Sequence, residues 1–138
     1  MHFVHKIIAL LGLFLVTVSI TFGQNIEKEM KKSADKLFAE EKYVAATSTY
    51  LNLLSLHPSS SEYNYKYGAC LLYNSAKKQT AIKFLATAVT DPAVDPIAYY
   101  FLGKAFHLNF QFNSAITNYQ IFLTKSSDEV RKKEVRRQ

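Results

Sequence analysis

The apolar positions of this chain fall into short stripes at helical spacing, separated by polar turns, and the stripes recur. Ala34, Leu37 and Phe38 share one face, and Tyr43 closes a turn after them. Ala46, Tyr50, Leu53 and Leu54 stripe the next segment. Pro58 ends it, because proline disfavours helical backbone at the residue before it, here His57. A second pair of stripes runs through Tyr63, Tyr67 and Leu71, then Ala81, Leu85 and Ala88. A third runs through Tyr99, Leu102, Gly103 and Phe106, then Phe112, Ala115, Tyr119, Phe122 and Leu123.

Small residues mark the period. Ala34, Gly68 and Gly103 sit in the first stripe of each pair, 34 and 35 residues apart. Ala46, Ala81 and Ala115 open the second stripe, 35 and 34 apart. Two interleaved series at one period describe a helix–turn–helix unit used three times. The expectation is an all-α, right-handed α-solenoid of six antiparallel helices, with units at about 27–59, 60–94 and 95–127. The turn NSAKKQT makes the second unit one residue longer between its helices. Helix starts are expected from a capping box at Ser59 and Glu62, and from Asp95-Pro96, where a carboxylate caps and proline takes the first helical position.

The periodicity also explains a crowded stretch. Residues 98–119, AYYFLGKAFHLNFQFNSAITNY, hold seven aromatics in 22 residues. Glycine inside a helix costs about 1 kcal/mol relative to alanine, a cost tolerated where a partner helix must come close. Gly68 and Gly103 are therefore expected to approach Ala81 and Ala115, with rings filling the space on either side. The aromatics read as core, each worth roughly 1.5–3 kcal/mol on burial.

The two ends differ from the middle. MHFVHK is basic, IIALLGLFLVTVSITF carries no charge, and Thr21-Phe22-Gly23 offers small residues at a cut before Gln24. That order reads as a secretory signal peptide over residues 1–23. The apolar run from Ile7 to Phe22 is 16 residues, short of the roughly 20 that span a bilayer. An uncleaved membrane anchor is the competing reading. Residues 24–125 then form the repeat domain, and 126–138 begin a capping helix with a start at Ser126 and Glu129 and a basic tail. The formal charge is +6, and six of the cations follow Thr124 beside three acids. Interleaved signs point to a solvated helix face rather than a nucleic-acid surface.

Chemistry-bearing residues are few. Outside the export segment there are two histidines, His57 and His107, and a single cysteine, Cys70, in the apolar run GACLLY. One cysteine excludes an internal disulfide framework and reads as a small packing residue. No HExxH, paired CxxC, GxSxG, phosphate-loop or GxGxxG motif occurs. The register puts Cys70 and His107 on different surfaces, so they do not suit a nucleophile–base pair. The expectation is a protein without catalytic residues, metal ligands or cofactor, taking a protein or peptide partner and neither nucleic acid nor a small-molecule substrate. Its partner surface would be the concave face that stacked first helices create. The register places Lys31 and Asp35, Tyr65, Ala69 and Tyr73, and Tyr100, Lys104 and His107 on it. Tyrosines with a cation and a histidine suit an extended peptide or a helix; ordinary amphipathic surface is the competing reading.

The pattern over residues 28–125 resembles the tetratricopeptide repeat. YYFLGKAFHLNFQFNSAITNYQIFL matches best, with Gly103, Phe106, Ala115 and Tyr119 at the signature places. The second unit departs by its longer turn; the first has Ala34 for the glycine and Met30 where an aromatic is usual. A closer resemblance lies in the FGQ end of the signal segment, ADKLFAEEKYVAATSTYLNLLSLHP, EYNYKYGACLL and AYYFLGKAFHLNFQF. These are similar to the amino-terminal region of a Bacteroidota envelope family. Its members carry these repeats first, often a WD-type propeller next, and an OmpA-like peptidoglycan-binding domain last. The resemblance implies an exported scaffold at the periplasm or the periplasmic face of the outer membrane, cut off before those later domains. Membrane association would then come only through export or the missing region.

Overall fold

The computed structural model describes residues 23–74 and 76–137; the expected export segment, apart from Gly23, lies outside them. Among the described residues there are seven helices and no strand. In chain order they are α1 (23–39), α2 (Tyr43–Leu56), α3 (Ser61–Leu71), α4 (Lys78–Ala88), α5 (Ile97–Leu108), α6 (Phe112–Lys125) and α7 (Glu129–Val135). α3 packs along α4 and α5 along α6 as hairpins, while α2 against α3 and α4 against α5 join one hairpin to the next. α3 also meets α5 directly, which closes one side of the stack.

The turns between paired helices come in two kinds. Glu41 and Phe110 adopt φ of 57° and 60°, the left-handed region that non-glycine residues enter at a cost of about 1–2 kcal/mol. Around each, an amide five residues on bonds back to the helix, Lys42 N to Leu37 O at 2.8 Å and Gln111 N to Phe106 O at 2.9 Å. These are matching C-terminal caps in the first and third units. The longer middle turn uses Asn74 instead: its side chain accepts from Ala76 N at 3.2 Å, and its carbonyl accepts from Lys77 N at 2.9 Å. One extra residue is thus absorbed without losing the register of α4.

Helix starts differ from expectation at two places. α3 is capped by Ser60 rather than Ser59, its Oγ accepting from Tyr63 N at 3.2 Å. Glu62 makes no reciprocal cap, because its carboxylate is drawn to Lys31 on α1 and to Lys66 one turn on along α3. α7 is capped by Asp128, whose Oδ1 accepts from Arg131 N at 3.0 Å, while Ser126 Oγ accepts from Asp128 N one step earlier. Asp95 does cap α5, accepting from Ile97 N at 2.9 Å beside Pro96.

The small-residue code holds with one correction. Ala34, Ala46, Ala81 and Ala115 are buried, as expected. The glycines, however, face the large residue one turn beyond the expected alanine. A Cβ at Gly68 would stand 2.7 Å from Leu85 Cγ, and one at Gly103 would stand 2.6 Å from Tyr119 Cδ1. The reason is leverage: the alanine lets the backbones close, and the following large side chain then fills the notch that the glycine leaves. Tyr50, also fully buried, holds the same place in the first unit.

This contact predicts destabilisation at both notches. A Cβ at either glycine would stand within 3 Å of a buried side chain, Leu85 or Tyr119, so Gly68→Ala and Gly103→Ala should each lose about 1–3 kcal/mol through overpacking, more than the gain of about 1 kcal/mol in helix propensity, and lower the melting temperature. Thermal unfolding by circular dichroism checks it; an unchanged melting temperature in either variant would contradict the packing.

Candidate partner-binding face

α1, α3 and α5 line one side of the stack, and their polar pairs follow a spacing set by the repeat. Lys31 Nζ donates to Glu62 Oε1 at 2.6 Å, Lys66 Nζ to Asp35 Oδ1 at 2.7 Å, and Lys104 Nζ to the Tyr73 hydroxyl at 3.3 Å. Each pair is 31 residues apart, one repeat less one helical turn. Neighbouring first helices therefore meet with a one-turn offset.

The first two pairs join into a quartet. Lys31 also donates to Asp35 at 2.7 Å and Lys66 to Glu62 at 2.6 Å along their own helices, so cations and carboxylates alternate around a square. The Lys66 side chain is only 12 % exposed, and its ammonium lies 5.8–6.0 Å from the ring centres of Phe38, Tyr50 and Tyr65. Burying a lysine is tolerable because two carboxylates and three ring faces replace its water. The Tyr50 hydroxyl donates to Asp35 at 2.8 Å. Burial alone would raise the Asp35 carboxyl, but donation from Lys31, Lys66 and Tyr50 outweighs it and holds the group below its ordinary value. Glu62 is depressed in the same way, with burial opposed by Lys31 and Lys66.

The expected open groove is largely closed. Lys31 and Asp35 face each other within the quartet. Tyr65 and Tyr100, expected to be accessible, are 6 % and 4 % exposed, and Ala69 is fully buried. Tight curvature is the cause. Phe38 of α1 crosses the face to reach Phe101 of α5, ring centres 5.9 Å apart, and its other edges meet Tyr43, Tyr50 and Tyr65. His107 lies elsewhere: its ring meets Phe112 at 5.6 Å, on the wall of an apolar cleft of about 420 Å³ between α6 and α7. That cleft is lined also by Ile116, Tyr119, Leu123 and Val135.

What remains accessible is a mouth at the helix ends. Tyr73, exposed, stacks on Tyr43 at 4.2 Å, and the Lys104 ammonium stands 5.3 Å over Tyr73 and 5.8 Å over Tyr100. α7 borders this mouth. Glu134 Oε1 accepts from the Tyr100 hydroxyl at 2.8 Å, Arg131 lies 5.6 Å over the same ring, and its guanidinium is 3.8 Å from Glu41. Burial pushes the Tyr43 hydroxyl up to about 12, so it stays protonated there. The Cys70 thiol is likewise pushed up to about 12 by burial, the wrong direction for a nucleophile. Among the described residues no group of three or more histidine, cysteine, aspartate or glutamate side chains could hold a metal.

Solved structures share this architecture. The crystal structure of MamA superposes with a TM-score of 0.60 at 22 % identity, over 71 % of this chain and 57 % of that one. The MamA RS-1 ArsTM double mutant gives 0.59 at 23 % identity, over 71 % and 55 %. The P58(IPK) TPR domain gives 0.62 at 19 % identity, over 80 % of this chain and 33 % of that one. The fold is a tetratricopeptide-repeat solenoid. This chain thus spans little more than half the length of the MamA structures and a third of the P58(IPK) TPR-domain structure. No protein-family model matches it, and neither does any curated protein.

Several residues of this tetratricopeptide-repeat face carry no signal in the small-residue pattern: Phe38, Glu62, Lys66, Glu41, Arg131 and Glu134. The 31-residue offset could have found the second and third, because Lys31/Asp35 and Glu62/Lys66 are opposite-sign pairs one offset apart. The quartet yields a pH prediction. Carboxylates with depressed values in the folded chain contribute stability above their unfolded values of about 4, lost as pH falls through the folded ones. Lys66→Met removes a depressing partner from both. Stability measured by urea unfolding between about pH 5 and pH 2 should then fall less steeply than in the parent chain; an unchanged slope would show that the quartet is not coupled to folding.

Proposed function

We propose that this chain is a non-enzymatic scaffold for protein–protein interaction, exported to the cell envelope as the amino-terminal module of an OmpA-like outer-membrane-associated protein. The mouth carries the reading. Tyr73 and Lys104 stay accessible while the rest of the face is used up in holding the units together. A stacked tyrosine pair capped by an ammonium offers apolar area and hydrogen-bonding ends at little entropic cost, which suits a protein partner. Among the described residues, no side-chain constellation competes for a catalytic role: the one thiol is buried, and His107 lies at a different wall.

The envelope context rests on the sequence alone, on the apolar run Ile7–Phe22 and the FGQ cleavage pattern. The same run favours a second reading, an adaptor held by an uncleaved amino-terminal helix. Residues 24–125 are taken as the repeat domain in both.

Affinity capture from envelope extract tests the mouth. Tyr73→Ala with Lys104→Ala should cut recovery of partner at least tenfold without altering the melting temperature by more than a few degrees, whereas undiminished recovery would retire the mouth as the binding surface. Mass spectrometry of the chain recovered from cells separates the two contexts: a terminus at Gln24 favours export, an intact Met1 the anchored adaptor.

A further inference from the structure

The α5–α6 turn carries a ring that the fold does not use. Phe110 adopts φ of 60° and is 82 % exposed. Glycine or asparagine enters the left-handed region at lower cost than an aromatic residue does. Nothing in the cap calls for the ring either. Gln111 N and Phe106 O close the turn through backbone alone, and Glu41 occupies the same place in the first unit. Leu108, two residues earlier, is exposed as well. Exposure at both places belongs to the unit. Glu41 lies seven residues after Ala34, as Phe110 does after Gly103, and is exposed with two further units stacked behind it. Ala39 and Tyr73, at the place of Leu108, are exposed in the same way. Charge is distributed unevenly around this tip. Residues 63–90 and 96–127 contain no acid. The acids of the second and third units, Glu62, Asp91 and Asp95, gather at the start of α3, just after α4 and just before α5, the other end of the hairpins. An 11-residue helix, about 16 Å, separates them from the turns, farther than the roughly 8 Å over which exposed charges act through physiological salt. On the neighbouring α3–α4 turn Lys77 is exposed and Lys78 half-buried, and Asn109 Nδ2 donates to Lys78 O at 3.4 Å, which ties the two turns side by side. The acids of the first turn are taken: Glu40 pairs with Lys42 at 2.7 Å, and Glu41 lies 3.8 Å from Arg131.

We propose that the tip formed by Leu108, Phe110, Lys77 and Lys78 is a membrane-contacting site that seats the solenoid, turn end down, on an anionic phospholipid surface. The contact goes beyond the scaffold reading and stands or falls separately from it. Phe110 projects from a turn instead of lining a groove, so a partner must close around it. Acyl chains do so without a preformed pocket, whereas a protein would need one of matching shape. The ring and Leu108 enter the boundary between headgroups and acyl chains, where exposed apolar side chains are relieved of water. The two ammonium groups stay with the lipid phosphates above them, on stems long enough to reach. Two apolar side chains and two cations give weak, reversible seating that anionic lipid strengthens, enough to orient a chain already near a membrane. α1 begins at residue 23, the far end of its hairpin from the turn, so the tip is separate from any anchor at Ile7–Phe22.

The chain has no tryptophan, so Phe110→Trp in the full chain reports on the tip alone. With vesicles of phosphatidylcholine and phosphatidylglycerol its emission should move to shorter wavelength and be quenched by brominated acyl chains. With phosphatidylcholine alone the shift should need far more lipid. Leu51→Trp, on the exposed middle of α2, should keep its aqueous emission with both. Adding Lys77→Gln and Lys78→Gln to Phe110→Trp should raise the mixed-lipid concentration that gives half the shift about tenfold. An unshifted Phe110→Trp, equal shifts at both reporters, or a shift indifferent to the lysines overturns the proposal. Phe110→Asn supplies a residue suited to positive φ, so its melting temperature should not fall. A fall of several degrees would make the ring structural and overturn the proposal as well. If Phe110→Asn abolishes capture from envelope extract while vesicles leave Phe110→Trp unshifted, the tip takes a protein and the lipid site is lost.

Discussion

The distance between paired helices, set at Gly68 and Gly103, governs the rest of this structure. A side chain at either place would overlap Leu85 or Tyr119, so the two helices of a unit can close only where nothing projects. Once they close, the large residue opposite is driven into the notch and becomes buried, and its neighbours are fixed in turn. Burial of Leu85, Phe122 and Tyr119 follows from that approach, as does the position of α5 beside α3. The third unit depends on it most, because its notch holds a ring rather than an aliphatic chain.

That closeness decides what the concave side can offer. Stacked first helices ordinarily leave an extended channel between them. Here the helices carry aromatics on that side, and curvature brings the rings together before a channel can form. Phe38 takes the centre and meets four other rings. Lys66 takes the remaining polar demand and is neutralised by Asp35 and Glu62. Accessible side chains are thereby displaced from the middle of the face to its rim, where Tyr73 and Lys104 meet the solvent and α7 comes alongside.

Much of the fold was legible because it is periodic. Three in-phase pairs of small residues placed six helices and their pairing, and the buried alanines lie where the pattern put them. The partners of the glycines were misjudged by one turn, since spacing along a chain does not say which side chain leans into a gap. Caps at Ser60 and Asp128 were missed because adjacent serines and acids satisfy the same sequence rule. The site was less legible. Tyr65 and Tyr100 occupy the register positions of an exposed face, yet superhelical curvature, a sum of small rotations with no local signature, buries them. Arg131 and Glu41 are brought together only by that same curvature.

Phe38 against Phe101 has one more consequence. A repeat array whose members touch only their immediate neighbours can fray from either end, and its melting spreads over many partly formed species. In this chain the first hairpin touches the third through the ring pair, and reaches α7 beyond it through Glu41 and Arg131. Loss of the leading hairpin would strip cover from the trailing one at the same moment. The three hairpins are therefore bound into a single cooperative block, behaving thermodynamically as a small globule built from repeated parts.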